Sequence, residues 1–208
     1  MIPNKIQQIK NEIGDRKLII VSKKRSLSKI MHAYNTGHRD FGENRVQDLI
    51  DKYHNLPKDI RWHMIGHLQK NKVKYIIPFI HLIHSVDSLG LLEWINKISN
   101  KENKRTNCLI QVKIAEEDTK FGFSKSLTEK FIVSNYKSNY PFINIKGLMG
   151  MATATNNKEK IEREFQKLKY IYMKNPELNT LCMGMSQDYK IAIKNGSNMI
   201  RVGTYIFS

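Results

Sequence analysis

The chain has 208 residues, 40% of them hydrophobic, and a formal net charge of +16. That length suits one large domain, residues 1–208, and is short for two. With no run of ~18 or more apolar residues, it offers no membrane-spanning helix and implies no membrane partner.

Basic charge invites a nucleic-acid reading. The lysines, however, are scattered from Lys5 to Lys194, and no aromatic residues interleave with arginines as in RNA-binding surfaces. Lys, Asn and Ile are abundant together, and all three have A/T-rich codons. Compositional drift and solubility are therefore read ahead of specific nucleic-acid recognition.

The N-terminal stretch is amphipathic and lacks the uninterrupted apolar region of a signal peptide. Residues 3–14 are expected to form a helix. The two cysteines, Cys108 and Cys182, sit in apolar runs and read as buried free thiols in a reducing compartment, the cytoplasm.

Eight apolar, β-branched runs follow: residues 17–22, 39–42, 61–66, 81–86, 108–114, 143–149, 179–184 and 198–203. Helical spacing lies between them. Leu89, Leu92, Ile95 and Ile98 share one face, as do Ile161, Phe165, Leu168 and Ile171. Ser124 or Ser126 is the expected N-cap of the helix in "SKSLTEKFIVSNY". The polar stretch 99–107 reads as a loop away from the chemistry.

Eight strands alternating with helices predict a parallel α/β sheet, closed as a (β/α)₈ TIM-type barrel, with an open doubly wound sheet as runner-up. No helix is expected after the eighth strand, and the N-terminal helix would cover that gap.

In such a barrel the site forms at the carboxyl ends of the strands. The last two runs end in Gly184-Met185-Ser186 and in Arg201-Val202-Gly203-Thr204. Glycines that let an oxyanion approach the backbone, beside hydroxyl groups, on the two strands that usually form this barrel's phosphate site, point to a phosphate. Ser186 is expected near a helix N-cap.

Lys23 stands at the end of the buried run "LIIVSK". One reading is a partly desolvated amine that forms a Schiff base; the other is a lysine that caps the strand and reaches water. The pattern leaves both open. By strand alternation Lys24 should face away from the interior. A Schiff-base lysine across a barrel mouth from a phosphate site suggests pyridoxal phosphate (PLP). The pairs His63/His67 and His81/His84 do not converge on one ion at strand spacing, so no metal is expected.

Several stretches then match a known family in order. They are "VSK" at 21–23, "FGENRVQ" at 41–47, "WHMIGHLQKNK" at 62–72, "HSVDS" at 84–88, "KFGF" at 120–123, "GLMGMA" at 147–152, "MGMSQDY" at 183–189 and "GSNMIRVGTYIF" at 196–207. The chain resembles the pyridoxal phosphate homeostasis proteins, which are similar to the N-terminal barrel of alanine racemase.

The resemblance implies a single barrel that binds pyridoxal 5′-phosphate and serves vitamin B6 balance without efficient turnover. Lys23 resembles the Schiff-base lysine, and Ser186, Gly203 and Thr204 resemble phosphate binders. Arg201 resembles the arginine that faces the pyridine nitrogen, and Asn44 and His63 match positions near the cofactor. Apo-enzymes that require PLP are candidate partners, and a monomer is expected. The alternative is a PLP-dependent racemase-like enzyme. Against it, a two-base racemase needs a second base, which in alanine racemase comes from outside the barrel. A sugar-phosphate lyase and a basic nucleic-acid binder are more distant readings.

Overall fold

The computed structural model describes residues 1–116 and 121–208. Lys120, the first residue of the "KFGF" match, lies outside the described residues.

The strands are β1 (Lys17–Val21), β2 (Asp40–Glu43), β3 (Arg61–Met64), β4 (Leu82–Val86), β5 (Thr106–Val112), β6 (Ile143–Gly150), β7 (Thr180–Cys182) and β8 (Met199–Val202). All pair in parallel with their sequence neighbours, and β1 also pairs with β8. That last pairing, Lys17 with Met199 through Ile20 with Val202, closes the barrel and excludes the open sheet.

The helices are α1 (Ile2–Ile13), α2 (Leu27–Tyr34), α3 (Val46–Asn55), α4 (Val73–Ile76), α5 (Leu89–Lys101), α6 (Lys125–Val133), α7 (Tyr136–Asn139), α8 (Lys158–Met173), α9 (Tyr189–Lys194) and α10 (Thr204–Phe207).

The strands read as near-continuous apolar runs because both faces are covered. Alternate side chains divide between two cores. Ile19, Leu82, Leu109, Met149, Cys182 and Met199 pack together inside the barrel. Leu18 and Ile20 belong to the larger core between sheet and helices. The stripe Ile161, Phe165, Leu168 and Ile171 on α8 is buried as its spacing predicts. On α5, Leu92, Ile95 and Ile98 are buried, while Leu89 at the first turn is only partly so. Ser124, not Ser126, caps α6 by accepting the Leu127 N–H.

Two expectations need correction. The segment 99–107 is not all loop: α5 continues to Lys101 and β5 begins at Thr106. A helix does follow β8, although it is a single turn, α10. It is stabilised from outside the barrel. Ile6, Ile9 and Ile13 form the buried stripe of α1, which packs between α2 and α10. Gln8 on α1 accepts the Tyr205 hydroxyl at 2.7 Å. No helix among the described residues is long and apolar enough to cross a membrane.

Candidate functional site

β1 ends at Val21, Ser22 is fully buried, and Lys23 and Lys24 form an exposed turn. Three side chains hold that turn from below. The Ser22 hydroxyl donates to Glu43 Oε1 at 2.5 Å, and Lys52 Nζ on α3 donates to the same oxygen at 2.7 Å. Lys52 also donates to the Ser22 carbonyl at 2.9 Å. Glu43 is 0% exposed and Lys52 6%. Burial pushes the Glu43 carboxyl up, and the Lys52 and Ser22 hydrogen bonds oppose that rise. This knot joins the ends of β1 and β2 to α3, directly beneath Lys23.

Asn44 follows β2, and its side-chain Oδ1 is buried without a partner. Its backbone lies against Gly66. A Cβ built on Gly66 would stand 2.2 Å from the Asn44 carbonyl oxygen, so only glycine permits this approach. The Gly66 carbonyl is held in turn by the Ser85 hydroxyl at 2.6 Å.

On the other side of the mouth the loops after β7 and β8 meet. Gly203 N–H donates to Ser186 Oγ at 3.4 Å. A Cβ on Gly203 would stand 2.7 Å from the Val21 carbonyl oxygen, so the β8 loop lies directly against the end of β1. Thr204 is exposed at the start of α10. The loop before α9 is tied by Asp188, which accepts the Met185 N–H at 2.5 Å.

Arg201 is only 3% exposed. Its Nη1 donates to the Cys182 sulfur at 3.0 Å, and its Nη2 is buried without a partner. From Cys182 a line of polar groups crosses the interior. Cys182 Sγ lies 3.5 Å from His84 Nδ1, and His84 Nε2 lies 2.9 Å from His63 Nδ1. His63 Nε2 lies 3.0 Å from Asp40 Oδ1. Asp40 is clamped by Arg61 through two hydrogen bonds of 2.9 and 2.6 Å. Burial pushes the Asp40 carboxyl up, but Arg61 and His63 outweigh it and hold it well below the usual range. Burial lowers both His63 and His84.

The structure thus brings Ser186, Gly203, Thr204 and Arg201 onto two adjacent strand ends, beside the end of β1 that leads to Lys23. His63 is separate: it is fully buried, and both its ring nitrogens are engaged inside the barrel. One premise does not hold. Lys23 is exposed in a turn beyond the strand, so neither burial nor strand alternation acts on it; Lys24 instead adopts a left-handed φ of 58°. Ser186 lies two residues before Asp188, the N-cap of α9, near the helix start as expected.

Lys52 and Asp40 escaped the sequence reading. Lys52 shares a buried helix face with Val46 and Leu49, and a lysine on an apolar face is a readable signal. Asp40 lies two residues before Gly42 on an inward-facing strand position. Spacing along a single strand keeps each histidine pair apart, whereas His63 meets His84 across two strands. Asp40, His63 and His81 place ligand atoms within 4.8 Å of one another. Arg61 already occupies both Asp40 oxygens and Lys17 stands 3.9 Å away, so a further cation there would be repelled.

Comparison with known proteins agrees with this fold. Clostridium difficile alanine racemase superposes with a TM-score of 0.82 at 16% identity, this chain covering 56% of the racemase; that likeness concerns the fold. PipY of Synechococcus elongatus, solved without PLP, superposes with a TM-score of 0.91 at 31% identity over 100% of both chains, and PipY has also been solved with PLP bound. A Helicobacter pylori pyridoxal phosphate homeostasis protein is 37% identical over 193 residues, 92% of this chain and 86% of that one. The model of the alanine racemase N-terminal domain matches residues 2–208. The chain belongs to the alanine racemase N-terminal domain family and, within it, to the pyridoxal phosphate homeostasis proteins.

The knot beneath Lys23 has a testable pH signature. Lys52→Met strands the Glu43 carboxylate and should destabilise the fold by about 3–5 kcal/mol at neutral pH. In the variant the folded carboxyl pKa rises further above its unfolded value. The deficit against the parent should therefore be smallest at acid pH, where Glu43 is protonated, and grow as pH rises through the raised pKa. Thermal unfolding of both proteins from pH 4 to 8 checks this; a pH-independent deficit contradicts it.

Proposed function

We propose that the chain binds pyridoxal 5′-phosphate at the barrel mouth as a vitamin B6 homeostasis protein, with residues 1–208 acting as one binding domain. The observation that carries this reading is Arg201: a guanidinium 3% exposed, with one nitrogen unpaired, near the end of the strand that leads into Gly203-Thr204. An unpartnered buried donor is expensive unless a ligand meets it.

The residues fit the group. PLP presents an aldehyde, a ring nitrogen and a phosphate. Lys23 supplies an exposed primary amine, and Arg201 a donor for the ring nitrogen. Ser186 and Thr204 supply hydroxyl donors to the phosphate, and Gly203 backs Ser186 through its N–H and lets the backbone lie close. The unpaired Asn44 Oδ1 adds a polar contact at the same rim. When bound, the cofactor supplies a carbonyl that a lysine amine can capture. Lys23 is favoured over Lys24 by its place in the "VSK" match, directly after the anchored Ser22. His63 acts from beneath the site.

The relatives named as homeostasis proteins support a role in holding the cofactor over one in turning over a substrate. Arg201 supports the same view. A cation beside a pyridine nitrogen disfavours its protonation and makes the ring a poorer sink for carbanion charge. Nothing favours the racemase alternative. Two buried free thiols suit a reducing compartment, the cytoplasm.

Two outcomes are expected. Replacing both Ser186 and Thr204 with Ala should weaken PLP binding by about 1 kcal/mol or more per lost hydrogen bond. Absorbance titration of parent and double variant checks this, and equal affinities would move the phosphate elsewhere. The loaded protein, incubated with single-enantiomer alanine and followed by chiral chromatography, should show no racemisation near ~1 s⁻¹, the low end of ordinary enzyme turnover. Racemisation at that rate would establish the enzyme alternative.

A further inference from the structure

We propose that Cys182 is a positioning residue for Arg201, oriented from the far end of the barrel by Asp40 through His63 and His84. The inference rests on the PLP reading for its purpose but not for its geometry.

A buried arginine usually pairs with a carboxylate. Here the Arg201 Nη1 donates instead to a thiol sulfur. Asp188 is close enough to feel the Arg201 charge, yet one of its oxygens is taken by the Met185 N–H. The guanidinium therefore has no carboxylate hydrogen-bond partner among the described residues, and its direction depends on a weak sulfur acceptor.

What makes that acceptor dependable is the chain behind it, which has one consistent set of donors. The Asp40 carboxylate accepts from His63 Nε2–H. A neutral His63 must then accept at Nδ1, from His84 Nε2–H. A neutral His84 must accept at Nδ1, and the group facing it is the Cys182 S–H. With its proton directed at His84, the sulfur presents its lone pairs to Arg201. Each link fixes the next, and such chains strengthen their members.

Both imidazoles are fully buried, and burial keeps each in its neutral form, as the pattern requires. Burial likewise keeps Cys182 a thiol, against the pull of Arg201. At the far end Arg61 and Lys17 balance Asp40, so the chain transmits orientation while the anion is neutralised locally. Arg201 Nη2 is left free for an acceptor such as a pyridine nitrogen.

The test uses two readouts on the full chain. In the protein without PLP, ¹⁵N NMR of the arginine guanidinium groups should give resolved, slowly exchanging Nη signals for Arg201, assigned by their loss in Arg201→Lys. Cys182→Ser, which keeps a hydroxyl donor and acceptor, should retain them. Cys182→Ala should average them, and so should His84→Phe, which leaves the sulfur but removes the acceptor of its proton. With PLP added, Cys182→Ala should bind about tenfold more weakly and shift the absorbance maximum of the bound cofactor, with Cys182→Ser restoring both. A structural role alone would lower the melting temperature and leave the guanidinium signals resolved. Resolved signals in Cys182→Ala, or averaging in Cys182→Ser equal to that in Cys182→Ala, would overturn the proposal. If the parent binds no PLP, the functional reading falls while the guanidinium spectra still decide the positioning.

Discussion

The pairing of β1 with β8 is the constraint on which the site depends. Residues almost the whole chain apart become neighbours because Lys17 through Ile20 lie in register with Met199 through Val202. That register sets Gly203 against the Val21 carbonyl, with room for hydrogen alone at the glycine α-carbon. The turn carrying Lys23 and the loops carrying Ser186 and Thr204 thereby share one rim. Long-range parallel pairing is slow to form and costly in loop entropy, so local ties must hold the rim once the barrel closes. The Lys52–Glu43–Ser22 knot does this on the β1 side, and the Ser186–Gly203 contact joins the β7 and β8 loops.

The interior is divided by polarity. Ile19, Leu82, Leu109, Met149, Cys182 and Met199 fill one part with apolar contacts. Asp40, His63, His84 and Arg201 fill another with polar ones. Buried polar groups are tolerated only when satisfied. This line is satisfied from Asp40 to Cys182 and then stops at Arg201 Nη2. The atom left over lies near the carboxyl end of β8, where the fold places its chemistry.

Much of this was legible in the amino-acid sequence. The runs from residues 17–22 to 198–203 all became strands, most of them apolar on both faces as helix-covered parallel strands are, with Asp40, His63, His84 and Arg201 as buried polar exceptions. The stripe from Ile161 to Ile171 was buried for the same reason of period. The paired endings Gly184-Met185-Ser186 and Gly203-Thr204 point to one rim in the sequence alone. What escaped was contact across elements. The meeting of His63 and His84 depends on register between two strands, which spacing within either strand cannot report. Lys23 differs in environment from the expectation: the strand ends at Val21, and the turn lifts the lysine into solvent. The final helix was missed because one turn is too short for a periodic signal, and its stability comes from α1.

The central claim is that PLP is held at this rim by Lys23. The direct measurement is borohydride reduction of the PLP-loaded protein followed by peptide mapping by mass spectrometry. The account predicts a single pyridoxyl group on Lys23, absent from the adjacent Lys24. Labelling on Lys24, on scattered surface lysines in proportion to exposure, or on no residue at all would contradict it.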